Sequence, residues 1–217
     1  MMFLRTLPIA ALVMLSLVLG AGRWDLPMHW AYVAVLWLSA GTTYTLLQSR
    51  SPELIRERLK PPSDRDRSTR RVAIPIMLAH YLAAGLDAGR LGWTRVPFPL
   101  QIAGLAMLAA SMAVVGWTLL SNPYASSAVR IQSEREHHVI TTGPYAIVRH
   151  PMYLGVLLFS LGSGAALGSW LAAVLLVPVL AIFVRRTLLE DRMLHAELKG
   201  YAEYAARVRW RVVPGLF

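Results

Sequence analysis

The chain has no cysteine among its 217 residues, and only 16% of it is Asp, Glu, Lys or Arg. The missing thiol excludes a disulfide framework, a thiolate nucleophile and any cysteine-based metal site. The shortage of charge excludes an ordinary soluble domain, in which about a quarter of the residues are charged. Acidic groups are the scarcer sign, 12 against 22 Lys and Arg, for a formal net charge of +10. What the chain does have is apolar residues, 56% of the total, with a mean hydropathy of +0.48. They come in long runs, so the predicted class is an all-α, polytopic membrane helix bundle. In such a protein the positive charge points to loops facing anionic lipid, and no nucleic-acid partner is expected.

The runs divide the chain. Residues 1–121 are expected to be N-terminal transmembrane helices: Leu7–Ala21, Met28–Leu47, Val72–Leu86 and Leu100–Leu120. The first reads as an uncleaved span, with a signal peptide as the other reading. Ser49–Arg71 carries eight Lys and Arg and reads as a solvated, lipid-facing loop in which Pro61-Pro62 break any helix. His80, inside the third span, reads as a hydrogen-bonded packing residue, with a functional role as the sharper alternative. The fourth span is dense in small residues (Gly104, Ala106, Ala109, Ala110, Ala113, Gly116), which let helices approach closely. Residues 122–217 hold a polar loop, a helical hairpin (Met152–Leu161, with Gly162–Gly168 free to continue its first arm, then Trp170–Val184) and cytoplasmic amphipathic helices.

The chemistry gathers at Gly143-Pro144-Tyr145 and Arg149-His150-Pro151-Met152-Tyr153-Leu154-Gly155. Gly-Pro reads as a turn. His150 precedes a proline and is pushed toward an extended backbone, while Pro151 suits the first position of a helix. The N–H groups of Met152, Tyr153 and Leu154 are expected to point back into the loop and form an anion site beside Arg149 and His150. The blander reading is a lipid-interface pair of cations with an aromatic belt.

The positive-inside pattern tests the topology. With about six crossings, Arg23, Arg90 and Arg95 alone fall on one face, against nineteen of the 22 Lys and Arg on the other. The predicted protein is therefore multi-pass with both termini cytoplasmic, and the Arg149 loop shares a face with the tail from Arg185. In that tail Arg186 and Glu190 stand one turn apart, as do Asp191 and His195. Gly200 is expected to end the helix, after which Tyr201, Tyr204 and Val208 share a face. By itself the tail reads as a membrane-lying amphipathic helix with internal ion pairs.

Two blocks together carry a resemblance. They are Thr142-Gly143-Pro144-Tyr145 through Arg149-His150-Pro151-Met152-Tyr153-Leu154-Gly155, and Arg186, Glu190-Asp191, Leu194, Leu198, Gly200-Tyr201, Tyr204, Arg209 and Pro214. In these the sequence resembles the isoprenylcysteine carboxyl methyltransferase-like membrane methyltransferases, which take in phospholipid methyltransferases. The first half matches only in being hydrophobic. The resemblance implies S-adenosylmethionine as cofactor. Gln132, His138, Gly143, Tyr145, His150, Pro151, Tyr153, Leu154, Gly155, Glu190 and Asp191 would lie around it, and Arg149 and Glu190 would be catalytic. The family's usual acidic pair is Glu-Glu. Here the second position is Asp191, which leaves Glu190 the better candidate for direct contact.

The residue types suit that cofactor. The start of the Pro151 helix and His150 suit a carboxylate, Glu190 an ammonium or ribose hydroxyls, and Tyr145 and Tyr153 an adenine or a sulfonium. Arg149 could clamp an acceptor carboxylate or phosphate, and His150 or Glu190 could serve as general base for an amine or thiol. The expected partners are a lipophilic or lipid-modified acceptor and membrane lipid, with no metal. Two alternatives stay open. A sterol-type NADPH reductase would share the C-terminal resemblance, but tends to have Asn where Met152 stands. A small transporter or scaffold would spread polar residues along its spans.

Overall fold

The computed structural model describes residues 3–60, 67–126 and 130–217. Pro61-Pro62 and the helix break expected there lie outside these residues. The described chain is all-helical, without a strand. Its helices are α1 (Leu7–Ala21), α2 (Pro27–Arg50), α3 (Pro52–Leu59), α4 (Arg67–Leu86), α5 (Phe98–Ser121), α6 (Pro151–Ala166), α7 (Trp170–Leu175), α8 (Val177–Glu197) and α9 (Tyr201–Arg207). Six of them, α1, α2, α3, α5, α6 and α8, have a proline at one of the first two positions. Among the described residues, three stretches are long and apolar enough to cross a membrane: Arg71–Leu91, Phe98–Ser121 and Trp170–Glu197. The last joins α7 and α8, which pack on α6 as the expected hairpin. α6 does continue through Gly162-Ser163-Gly164, so its arm is 16 residues long.

Small residues set the helix spacing. A Cβ on Gly104 of α5 would stand 2.6 Å from the Ala166 amide nitrogen and 2.7 Å from the Gly162 carbonyl oxygen of α6. Gly116 meets Thr43 of α2 in the same way, at 2.8 Å. α5 therefore lies backbone-close to α6, as its run of small residues predicts, and makes room for the Thr43 side chain of α2. Leu17, Tyr32, Ala84, Leu108, Ala166 and Ala172 fill the centre. His80 lies among them fully buried: its Nδ1 donates to the Ala172 carbonyl (2.9 Å) and its Nε2 meets Ser163 Oγ (2.8 Å). Tyr32 completes that network at 2.6 Å from Ser163 Oγ. His80 is thus a satisfied packing residue that ties α4 to α6 and α7. Large apolar side chains such as Ile9, Leu12, Leu19 and Val174 face outward, as lipid contact requires.

The loop between α2 and α4 differs from the solvated stretch expected. Its Pro52–Leu59 segment is a helix whose Leu54 is fully buried with Leu47 and Leu119, against Ala125 and Met152. α3 is short, and its apolar side packs under the loop that follows α5. This brings residues of the N-terminal half to the end of the bundle where α6 begins.

Candidate functional site

The sequence around Arg149 folds as expected locally. Gly143–Ala146 is a single 3₁₀ turn opened by Gly143 in the left-handed region (φ 61°), and His150 is the N-cap of α6, its backbone outside the helical region (φ −126°, ψ 64°) though short of fully extended. What the local sequence does not show is how the turn is held. The Arg149 and His150 amides donate to the carbonyls of Trp210 (2.9 Å) and Arg211 (2.7 Å), so the C-terminal tail runs alongside the turn. Arg149 Nη1 donates to the carbonyls of Val208 and Arg209, both at 2.9 Å.

Asp191 is the centre of this arrangement. Its buried carboxylate accepts from Arg149 Nε (3.0 Å) and Nη2 (3.2 Å), His150 Nε2 (3.1 Å), Tyr201 Oη (2.9 Å) and Arg211 Nε (2.9 Å). One carboxylate thereby joins α6, α8, α9 and the tail. Burial, and then the Asp191 charge, push the Tyr201 phenol above its ordinary value. Burial does the same to Tyr145 and Tyr204, so all three remain neutral hydroxyls. Tyr204 Oη donates to the Tyr145 carbonyl (2.8 Å), and Tyr145 Oη accepts from Asn122 Nδ2 (2.8 Å).

Beside the knot is a cavity of about 410 Å³, within the roughly 300–1,000 Å³ typical of small-molecule sites. Tyr145, Arg149, His150, Pro151, Tyr153 and Glu190 line it, together with His138. Tyr153 Oη donates to Glu190 Oε2 and accepts from Arg186 Nε (2.8 Å). The Arg186 guanidinium lies 5.9 Å from the Tyr153 ring centroid, and the Tyr153 ring stacks on His150 at 5.7 Å. One carboxylate, two aromatic faces, an imidazole and guanidinium groups therefore look onto one space.

Other predicted residues lie elsewhere. Gln132 is fully buried outside the lining; its Nε2 donates to the Tyr124 carbonyl (2.8 Å) and its Oε1 accepts from Arg135 Nη1 (2.6 Å). Gly143 faces Ser121 and Trp117 of α5. Gly155 also faces α5, its carbonyl accepting from Ser111 Oγ at 2.7 Å and its α-carbon against Val115. Leu154 and Asp191 are outside the lining as well. The three-amide anion site shrinks: the His150 carbonyl accepts from the amides of Tyr153 (3.0 Å) and Leu154 (3.4 Å), which leaves Met152 the N–H of that group without such a bond. Arg149 has four of its five N–H groups engaged with Asp191 and the tail, so a bidentate clamp on another molecule is not open to it.

The cavity also has walls that the sequence did not announce. Arg58 of α3 and Ala73 and Ile74 of α4 line it, as do Asn122, Tyr124, Arg130 and His137 of the loop after α5. His137 stacks on Tyr124 at 4.4 Å. Burial, reinforced by His138, Arg135 and Arg130, lowers its pKa to about 4. The only hint available in sequence was polar composition in two loops. Nothing local says that they meet.

Comparison with known proteins agrees with the resemblance. Residues 100–199 match the phospholipid methyltransferase family. Cobalt-zinc-cadmium resistance protein CzcN of Cupriavidus metallidurans is 31% identical over 142 residues, 63% of this chain and 61% of that protein. Protein-S-isoprenylcysteine O-methyltransferase B of Arabidopsis thaliana is 35% identical over 82 residues, 37% of this chain and 42% of that protein. Nickel-cobalt-cadmium resistance protein NccN of Alcaligenes xylosoxydans xylosoxydans is 26% identical over 149 residues, 67% of this chain and 66% of that protein. The matched part of the chain thus spans less than two thirds of the first two. The region similar to the phospholipid methyltransferase family contains most of α5 and the whole of the apolar helix α6 and of α8.

Proposed function

We propose that the protein is an integral membrane methyltransferase that uses S-adenosylmethionine and acts on a lipophilic or amphipathic acceptor. The observation that carries this reading is that the start of α6 and Glu190 of α8, far apart in sequence, line one cavity of about 410 Å³ at the end of an apolar bundle. The match of residues 100–199 supports it.

In this reading Glu190 would hold the cofactor's ammonium or its ribose hydroxyls, and His150 with the Met152 amide would hold its carboxylate. Tyr145 and Tyr153 would flank the adenine or face the cationic sulfonium. Arg149 acts as a positioning residue that holds the turn to Asp191. S-adenosylmethionine supplies a methyl group on a good leaving group, so the protein has mainly to align and desolvate the acceptor. The apolar part of the lining, Ala73, Ile74, Val156 and Phe183, lies between α4, α6 and α8 and gives a lipid tail a way in from the bilayer. Residues 122–217 form the cofactor region, completed by α3 and α4. The chain crosses the membrane several times with both termini cytoplasmic, which puts the cavity at the inner leaflet.

The test is transfer of a labelled methyl group from S-adenosylmethionine to material in membrane extracts by the purified protein in lipid. Labelled product extractable into organic solvent is expected. Saturable binding of NADPH, with none of S-adenosylmethionine, would overturn the reading.

A further inference from the structure

α3 lies in the half of the chain whose sequence shows nothing beyond hydrophobicity and basic charge, yet it carries a buried acid. Glu57 is 5% exposed on a helix that also displays Glu53 and Arg56 to solvent. A buried carboxylate is costly unless paired. Arg130 Nη2, 73 positions away, donates to Glu57 Oε1 at 2.5 Å, and Lys60 Nζ stands 2.5 Å from Oε2. The next residue of α3 repeats the grip: Arg58 Nη1 donates to the Ala125 carbonyl at 2.7 Å. Arg58 and Arg130 both line the cavity.

The loop held in this way makes one side of the cavity, through Tyr124, His137 and His138. Inside the loop those residues support one another, with Tyr124 Oη 3.0 Å from His138 Nδ1 and Gln132 Nε2 on the Tyr124 carbonyl. Arg130 divides its Nη2 group between Glu57 and the exposed Glu134, at 2.5 and 2.7 Å. Of the two, Glu57 belongs to another element, so that bond ties the loop to α3, as the bond from Arg58 to the Ala125 carbonyl does a few residues earlier.

We infer that Glu57 is a positioning residue of the site: through Arg130 it fastens the wall formed by the loop after α5, so that the N-terminal half sets the affinity of the cavity for its nucleoside cofactor. This rests on the cofactor reading above, and the experiment separates the two. Glu57→Gln leaves only a neutral acceptor for Arg130, and Arg130→Gln removes the guanidinium, so each takes away the charge-assisted link. Each is expected to weaken S-adenosylmethionine binding about tenfold, the size of one lost charge-assisted contact. The double variant should lose no more than either alone, because the same bond is removed twice. Lys60→Met, which removes the other partner of Glu57 and touches no wall, should stay within about twofold of the parent.

Hydrogen exchange across residues 131–138 should quicken alike in Glu57→Gln and Arg130→Gln and be unchanged in Lys60→Met. Multiplying losses in the double variant, or unaltered affinity in both single variants, would overturn the proposal. If Glu57→Gln cannot be purified, Arg130→Gln cuts the same bond from its more exposed side. If the parent protein binds no S-adenosylmethionine, it is the cofactor reading that fails. The fastening is then judged by exchange alone, and unchanged exchange in both variants rejects it.

Discussion

Arg149 and Asp191 lie 42 positions apart and meet through two hydrogen bonds, Nε to Oδ1 at 3.0 Å and Nη2 to Oδ2 at 3.2 Å, with both side chains about 5% exposed. The pair closes the mouth of α6 onto α8. Removing one member of a buried pair strands the other charge in a low dielectric, which costs about 3–5 kcal/mol. Asp191→Ala is therefore expected to lower stability by about that amount, and to release the tail held through Arg211. Chemical denaturation in detergent, followed by tryptophan emission, measures it.

Glu190 should behave differently although it is the next residue. It is half-buried and accepts from the Tyr153 hydroxyl, outside the Asp191 network. Glu190→Gln keeps an acceptor for that hydroxyl and removes the charge facing the cavity. Stability within about 1 kcal/mol of the parent is expected, with S-adenosylmethionine binding weakened at least tenfold. Calorimetric titration of the two variants side by side checks the contrast. Equal loss of stability in both would break it.

The α5–α6 contact makes a prediction about packing. A Cβ at Gly104 meets backbone atoms of Ala166 and Gly162 below 3 Å, and backbone cannot swing aside as a side chain can. Gly104→Leu should cost about 1–3 kcal/mol or more through overpacking. Gly92, in the left-handed region (φ 58°) but with open space around a Cβ, should tolerate Asn with little change. Melting temperatures in one detergent compare the two.

His137 gives a pH dependence. Its pKa falls from 6.5 to about 4 in the folded protein, chiefly through burial and then through repulsion by His138, Arg135 and Arg130. Because the unfolded side chain takes up its proton first, this residue's contribution is fully present above pH 6.5 and is lost as pH falls toward 4. The loop should therefore loosen across that interval. Hydrogen exchange of residues 131–138 at stepped pH reports it, and His137→Gln should flatten the profile.

The helices and their membrane character were legible in sequence because they depend on local pattern. A run of apolar residues buries its own backbone bonds wherever it sits, and Pro151 or Gly200 acts on its immediate neighbours. Gly143-Pro144 and the start of α6 were readable for the same reason, as was the approach of Gly104 to its partner helix. The roles of Arg149 and Asp191 were less so. Each was visible as a charged residue near a motif, but whether it faced the cavity or another side chain depended on the tail, more than forty positions away in the case of Asp191 and Arg149. α3 reads as solvated loop in the sequence because its net polarity hides one fully buried leucine and one buried acid.

By itself, then, the sequence determined that this chain is a bundle of apolar helices joined by charged connections. That follows from the cost of leaving backbone or charge unsatisfied in hydrocarbon, which each segment meets alone. Only the tertiary structure decided which of those charges face the cavity and which hold it open. Pairings such as Asp191 with Arg149 and Arg211, or Glu57 with Arg130, are made across long separations, where no local periodicity carries the information.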